Sequence, residues 1–175
     1  FNAELKNAMY EEANHFFDYL IRAKRPLREM FTADYTFLNQ RLAEHYGVSK
    51  HAPQGKDFAK VEGMSEYRRG GFLGFGAIHA ATSAPLRTSP VKRGNFLLSR
   101  VLGTPTPPPP ADAGMLPADD KKFGGQTMRE RLLAHQRNAT CAGCHSRIDP
   151  LGFPLENFDP VGRWRDQYAD GQSIY

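Results

Sequence analysis

Two cysteines and one histidine carry the most specific chemistry in this chain. They stand as Cys141-Ala142-Gly143-Cys144-His145, the C-x-x-C-H spacing of a c-type haem attachment site. Two thiols one helical turn apart can each form a thioether to a haem vinyl group. The histidine that follows can offer a ring nitrogen to the iron. The chain has only these two cysteines, so neither a disulfide framework nor a second cysteine pair for zinc can be assembled. A thioredoxin-like redox pair belongs in a βαβ setting, whereas here the motif follows a Pro-rich stretch and a helical pattern. A zinc site with His directly after Cys is poorly arranged for one tetrahedron. The expected cofactor is therefore one covalently bound haem c, with Cys141, Cys144 and His145 as its attachment points and proximal ligand.

The sixth ligand is less evident. No Met or His follows His145, whereas ordinary class I cytochromes c take an axial Met from downstream. The candidates lie upstream: His45, His51, His79, His135, Met64, Met115 and Met128. His79 is the first choice, because the small residues of Ala77-Ile78-His79-Ala80-Ala81 allow a flat cofactor to approach. Met115 could fold over the ring from a loop, and Met ligation would raise the potential. His135, six residues before Cys141, has a difficult path to the opposite haem face.

Downstream of the motif, Pro150, Pro154 and Pro160 predict a constrained loop. Leu151, Phe153, Leu155, Phe158 and Trp164 are the apolar wall that a porphyrin needs. A carbonyl near Pro150 could accept the other ring N–H of His145. Arg163 and Arg165 could meet the propionates, or could simply be a solvated turn.

The elements that must hold these residues are mostly helical. Leu5, Ala8, Met9, Phe16, Leu20 and their neighbours recur at helical spacing over 4–22. A second helix is expected over about 35–46, with Asp34 as N-cap and Gly47 as a left-handed stop. Phe58–Val61 and Gly71–Phe75 read as short extended segments. Ser89-Pro90 opens a third helix that ends at Gly103. The match of Ser89-Pro90-Val91-Lys92 to S-x-x-K acylases lacks its companion motifs, and capping accounts for the serine. Four consecutive prolines, Pro107–Pro110, suggest a semi-rigid spacer. A further helix over about 126–138 leads into the motif. The sequon Asn138-Ala139-Thr140 lies too close to the attachment site to expect a glycan.

Composition narrows the function classes. The net charge of +4 comes from scattered Lys and Arg, without the basic stripe that nucleic-acid binding uses. No apolar run reaches membrane-spanning length. Position 1 is Phe, so the chain reads as an internal fragment or a processed product, and the lack of a leader says nothing about compartment. Haem attachment itself argues for a periplasmic, cell-surface or secreted location, because bacteria mature c-type haem outside the cytoplasmic membrane.

Several runs together resemble the planctomycete-type cytochrome c domains found in large secreted bacterial proteins. They are Tyr35–Asn39 with Leu42–Gly47, Arg87–Gly94, the proline run, Cys141–His145 through Ile148–Phe153, Leu155–Asp159 and Gly162–Arg165. The resemblance implies that residues 1–103 end one family domain and 104–175 form a second, haem-bearing one. The expected fold is mainly α: a helical N-terminal part joined by a Pro-rich spacer to a small cytochrome c-like domain. The expected function is one-electron transfer with a redox partner protein or with other haem domains of the same parent chain. A haem enzyme with an open sixth position, or a haem that staples a small domain, remain the alternatives.

Overall fold

The computed structural model describes residues 1–110, 125–169 and 171–174. The described residues are mainly α, about 51% helical, with one two-stranded sheet. It divides into two compact units: Phe1–Ala81 with Val161–Trp164, and Thr82–Pro160 with Arg165–Tyr175. The partition expected at residue 103 differs from this one, because the segment from Thr82 to Leu102 packs with the helix that bears the haem motif.

The first unit is built on α1 (Ala3–Arg22), whose Asn2 side chain caps the Leu5 N–H at 2.9 Å. After the short α2 (Glu29–Thr32), β1 (Tyr35–Leu38) pairs antiparallel with β2 (Ala59–Glu62). The intervening α3 (Gln40–Tyr46) is capped by Asn39 and stopped by Gly47 at φ 72°. The helix expected from residue 35 is thus a strand followed by a shorter helix. Tyr35, Thr36 and Phe37 favour extended backbone, and Asn39 supplies the start signal that Asp34 was expected to give. Asp34 instead accepts a hydrogen bond from the Ser65 N–H. Within Gly71–Phe75, Phe72–Gly74 forms a 3₁₀ turn rather than a strand. It leads to α4 (Gly76–Ala81). Leu5, Met9, Leu38, Leu42 and Val61 meet in the core.

A polar cluster lies buried within this unit. Glu12 accepts hydrogen bonds from Thr36 Oγ1 at 2.8 Å and Tyr46 Oη at 2.6 Å. The Arg69 guanidinium stacks 3.4 Å from the Tyr46 ring centroid and donates to the Gly162 and Gly74 carbonyls. Burial pushes the Glu12 carboxyl up to about 7, against the opposing pull of Arg69 and of its two hydrogen bonds.

The second unit contains α5 (Pro90–Phe96), α6 (Met128–His135) and α7 (Ala139–Gly152). Ser89 caps α5 through the Lys92 N–H, which is the role its sequence context suggested. Leu97–Val101 continues α5 as a π-helical turn. Thr127 and Glu130 form a capping box on α6, and Asn138 caps α7. Residues 104–110 carry no helix or strand and are largely exposed.

Arg93, with no exposed side-chain surface, organises the chain after α7. Its guanidinium donates to the carbonyls of Leu155, Phe158 and Asp159 and lies 3.5 Å from the Glu156 carboxylate. Glu156 also accepts from Thr88 at 2.7 Å and Tyr168 at 3.3 Å. Burial raises the Glu156 carboxyl, against the attraction of Arg93, and lowers Arg93 to about 10.

The Glu12 environment sets a pH dependence. Its folded value of about 7 lies above the ordinary 4.5, so the folded chain holds a proton that the unfolded chain has released between those values. Stability should fall as pH rises through that window, by an order of about 3 kcal/mol at most. Glu12→Gln should remove this component, so urea titrations of the variant should show a shallower decline from pH 5 to 7.5 than the parent. An equal slope in both proteins would assign the pH dependence to other groups.

Candidate haem-attachment site

The site is positioned by an unusually close helix crossing. A Cβ on Gly94 of α5 would lie 2.0 Å from the Ile148 carbonyl oxygen of α7, and a Cβ on Gly152 of α7 would lie 1.9 Å from the Pro90 carbonyl oxygen of α5. The two backbones touch at both points, each glycine facing the other helix's carbonyl. Helical geometry places residues 141, 145, 148 and 152 within about 60° of one another around the axis. The face that carries Ile148 and Gly152 onto α5 therefore bears Cys141 and His145 in the first turns of α7.

The expected loop after the motif is instead the continuation of that helix. Pro150 lies inside α7. Near the helix end it removes one hydrogen bond, to the Ser146 carbonyl, and the contacts with α5 hold the last turn in place. Phe153–Leu155 then tightens into a 3₁₀ turn.

Cys141 and Cys144 are free thiols, each partly exposed. The His145 ring is largely buried, and its Nδ1 lies 3.0 and 3.1 Å from the two carboxylate oxygens of Asp149. Asp149, one turn on and 1% exposed, also accepts a 2.7 Å hydrogen bond from Gln136 Nε2. The partner of His145 is thus the Asp149 carboxylate, not a carbonyl near Pro150. Its signal was the i, i+4 spacing from His145, hidden by reading the prolines as a loop. With Nδ1 engaged, Nε2 is the nitrogen left for a metal.

Beside His145 lies a cavity of about 550 Å³, lined among others by Arg129, Leu133, Asp149, Pro150 and Phe153, within the usual range of ligand sites. Leu133 is half exposed there. Arg129 lies 4.9 Å over the Phe153 ring. The donor set and this partly apolar wall fit a covalently held porphyrin. Among the described residues no three His, Cys, Asp or Glu side chains converge on a common point for a metal. A porphyrin supplies its own four nitrogens and asks only for axial ligands.

The other expected site residues are distributed differently. Of the predicted apolar wall, Phe153 lines the cavity, while Leu155 and Phe158 are buried. Arg165 belongs to the second unit, where it donates to Thr88 Oγ1 at 3.1 Å and to the Glu156 carbonyl and stacks on Tyr168; it is a structural contact. Arg163 and Trp164 belong to the first unit. There Arg163 shares a cavity with Arg41 and His45, and Trp164 stacks with Arg68. Arg129, which sequence reasoning missed, is the arginine beside His145.

The distal candidates fare unequally. His135 packs edge-to-face on His145 with ring centroids 5.0 Å apart. Metal–imidazole bonds are about 2 Å long, so rings packed directly together leave no room for a porphyrin plane between them. Met128 is core, packed with Leu132 and Phe153. In the first unit, Met64 is buried, His45 Nε2 lies 2.8 Å from the Val161 carbonyl oxygen, and His51 is exposed in a positive-φ turn. His79, on α4, is fully buried, so serving iron would require its ring to be uncovered. Met115 lies outside the described residues.

The α5–α7 contact gives a direct test. Gly152→Ala should destabilise the second unit by roughly 1–3 kcal/mol, the usual cost of forcing extra volume into a packed interface. Chemical denaturation followed by circular dichroism measures it; unchanged stability would mean that the helices separate without loss.

A family described as PSD4, Protein of unknown function (DUF1592), matches residues 1–48. A second, described as PSCyt3, Protein of unknown function (DUF1588), matches residues 69–168, more than half of the chain. No curated protein and no solved structure matches it. The two matches change over between residues 48 and 69, well before the expected division at 103, and agree with the resemblance read from the sequence. The match over 69–168 takes in α5, α6, α7 and the whole C-x-x-C-H motif, and the chain accordingly belongs to the PSCyt3 family of proteins of unknown function.

Proposed function

We propose that this chain is part of an extracytoplasmic c-type cytochrome that carries one covalent haem and passes single electrons. The observation that carries the reading is the arrangement on α7: two free thiols one turn apart, followed by a histidine whose Nδ1 is engaged and whose Nε2 remains available. Each thiol would add across one vinyl group. A C–S bond forms, the vinyl double bond is lost, and the thiol hydrogen ends on the adjacent carbon. When bound, the group supplies a one-electron ferric/ferrous couple. His145 would hold the iron, Asp149 would orient His145, Phe153 and Leu133 would cover porphyrin surface, and Arg129, which lines the same cavity as His145, would meet a propionate. The electron partner would be another haem protein or a further haem domain of the same parent chain.

Covalent attachment is tested by acid–acetone extraction of protein matured in a bacterial periplasm. The pigment should stay with the chain, and Cys141→Ala with Cys144→Ala should release it. Free haem in the organic phase of the parent would overturn the reading. His145→Ala should abolish the normal Soret spectrum even where pigment remains attached.

Spectra also separate electron transfer from the enzymatic alternative. A six-coordinate low-spin ferric spectrum favours electron transfer, whereas a five-coordinate high-spin spectrum favours a site open to peroxide or oxygen. For the sixth position His79 remains the proposed residue. His79→Gly should convert a low-spin ferric spectrum to high-spin; a low-spin spectrum that survives the change removes His79.

A further inference from the structure

The carboxylate behind His145 sets more than its orientation. A carbonyl acceptor would hold the ring with a neutral hydrogen bond. Asp149 offers a charged acceptor, and charge-assisted bonds are roughly twice as strong as neutral ones. Both carboxylate oxygens lie within 3.1 Å of Nδ1. The carboxylate is 1% exposed, so little water dilutes its field. The stronger Nδ1–H bond draws the proton toward Asp149 and leaves more electron density on Nε2, which makes a better ligand for the more highly charged metal state. Gln136 opposes this, because its Nε2 donates to Asp149 Oδ2 at 2.7 Å and withdraws part of the acceptor's charge.

Resting on the haem reading above, we infer that Asp149 is a positioning residue that makes His145 an electron-rich ligand and biases the bound iron toward its ferric state, with Gln136 as the counterweight. Reduction here adds one electron from a ferrous haem protein, or from dithionite in vitro. No bond is made or broken, and the Nδ1 proton stays on the ring.

The two residues have opposite expected effects, which a merely structural link between α6 and α7 would not produce. In the full chain with haem attached, Asp149→Asn keeps an oxygen acceptor of the same shape and removes the charge. It should weaken the ferric preference by about 10- to 100-fold, the usual cost of losing such a partner. At 59 mV per tenfold for one electron, that is a midpoint potential higher by about 60 to 120 mV. Gln136→Met should shift the midpoint the other way, to a lower potential. An unmoved or lowered potential in Asp149→Asn, or shifts of the same sign in both variants, overturns the inference. Should Asp149→Asn fail to fold, Gln136→Met decides alone, by the sign of its shift.

A haem-free readout tests the pairing separately. Nitrogen-15 NMR of the neutral His145 ring in the full chain should find the proton on Nδ1; a proton on Nε2 overturns the role given to Asp149. Failure of the parent to take up covalent haem would overturn the functional reading and this inference together, whereas attached haem with an unmoved potential overturns this inference alone.

Discussion

The second unit depends on two helices whose backbones touch. Gly94 meets the Ile148 carbonyl and Gly152 meets the Pro90 carbonyl, so no side chain separates α5 from α7 at either point. Contacts of this kind leave little freedom in crossing angle or register, because sliding one helix along the other brings a Cβ against a carbonyl. Weak Cα–H···O interactions can recur at such crossings. The larger consequence is steric: α7 has one seat, and its first turns carry Cys141, Cys144 and His145 in a fixed direction. A ligand on a rigid helix holds its geometry better than one on a loop.

Arg93 extends the same constraint. It stands one residue before Gly94, and its buried guanidinium gathers the carbonyls of Leu155, Phe158 and Asp159. A buried arginine is costly unless its donors are met, and here the chain after α7 meets most of them, leaving Nε without a partner among the described residues, and supplies Glu156 as counter-charge. Two runs far apart in sequence, Arg87–Gly94 and Leu155–Asp159, are thereby joined in one unit. Glu12 shows the contrasting solution. It too is a buried carboxylate near an arginine, but Arg69 is engaged with carbonyls and with the Tyr46 ring, and burial leaves the acid near neutrality.

Part of this was legible in the sequence, and the part that was not has definite causes. Caps are local chemistry, so Ser89 and Gly47 could be read directly. The C-x-x-C-H run is local as well. The strand at Tyr35–Leu38 was hidden because Tyr35, Leu38, Leu42 and Tyr46 also fit one helical face, so the pattern reads through the boundary at Asn39. Pro150 misled for a different reason. Its local preference is to end a helix, but close packing on α5 carries α7 two residues further. The arginines of Gly162–Arg165 were assigned by sequence proximity to the motif. Position along the chain says little there, since the segment Val161–Trp164 rejoins the first unit while Arg165 returns to the second.

The missed Asp149 has the same origin as the loop expected after the motif. Once the post-motif segment is read as helix, residue 149 falls one turn below His145 and on its side. Its second partner, Gln136, is the C-cap of α6, which the Thr127–Glu130 capping box starts and Met128 and Leu132 pack against Phe153. The hydrogen bond behind His145 therefore depends on how α6 seats against the turn that follows α7. Under the proposed haem function, ligand electronics and helix packing would be linked through three side chains, His145, Asp149 and Gln136. A shift of α6 by a fraction of an ångström would lengthen the Gln136 bond and return charge to Asp149, so packing at Met128 and Leu132 would reach His145 without touching it.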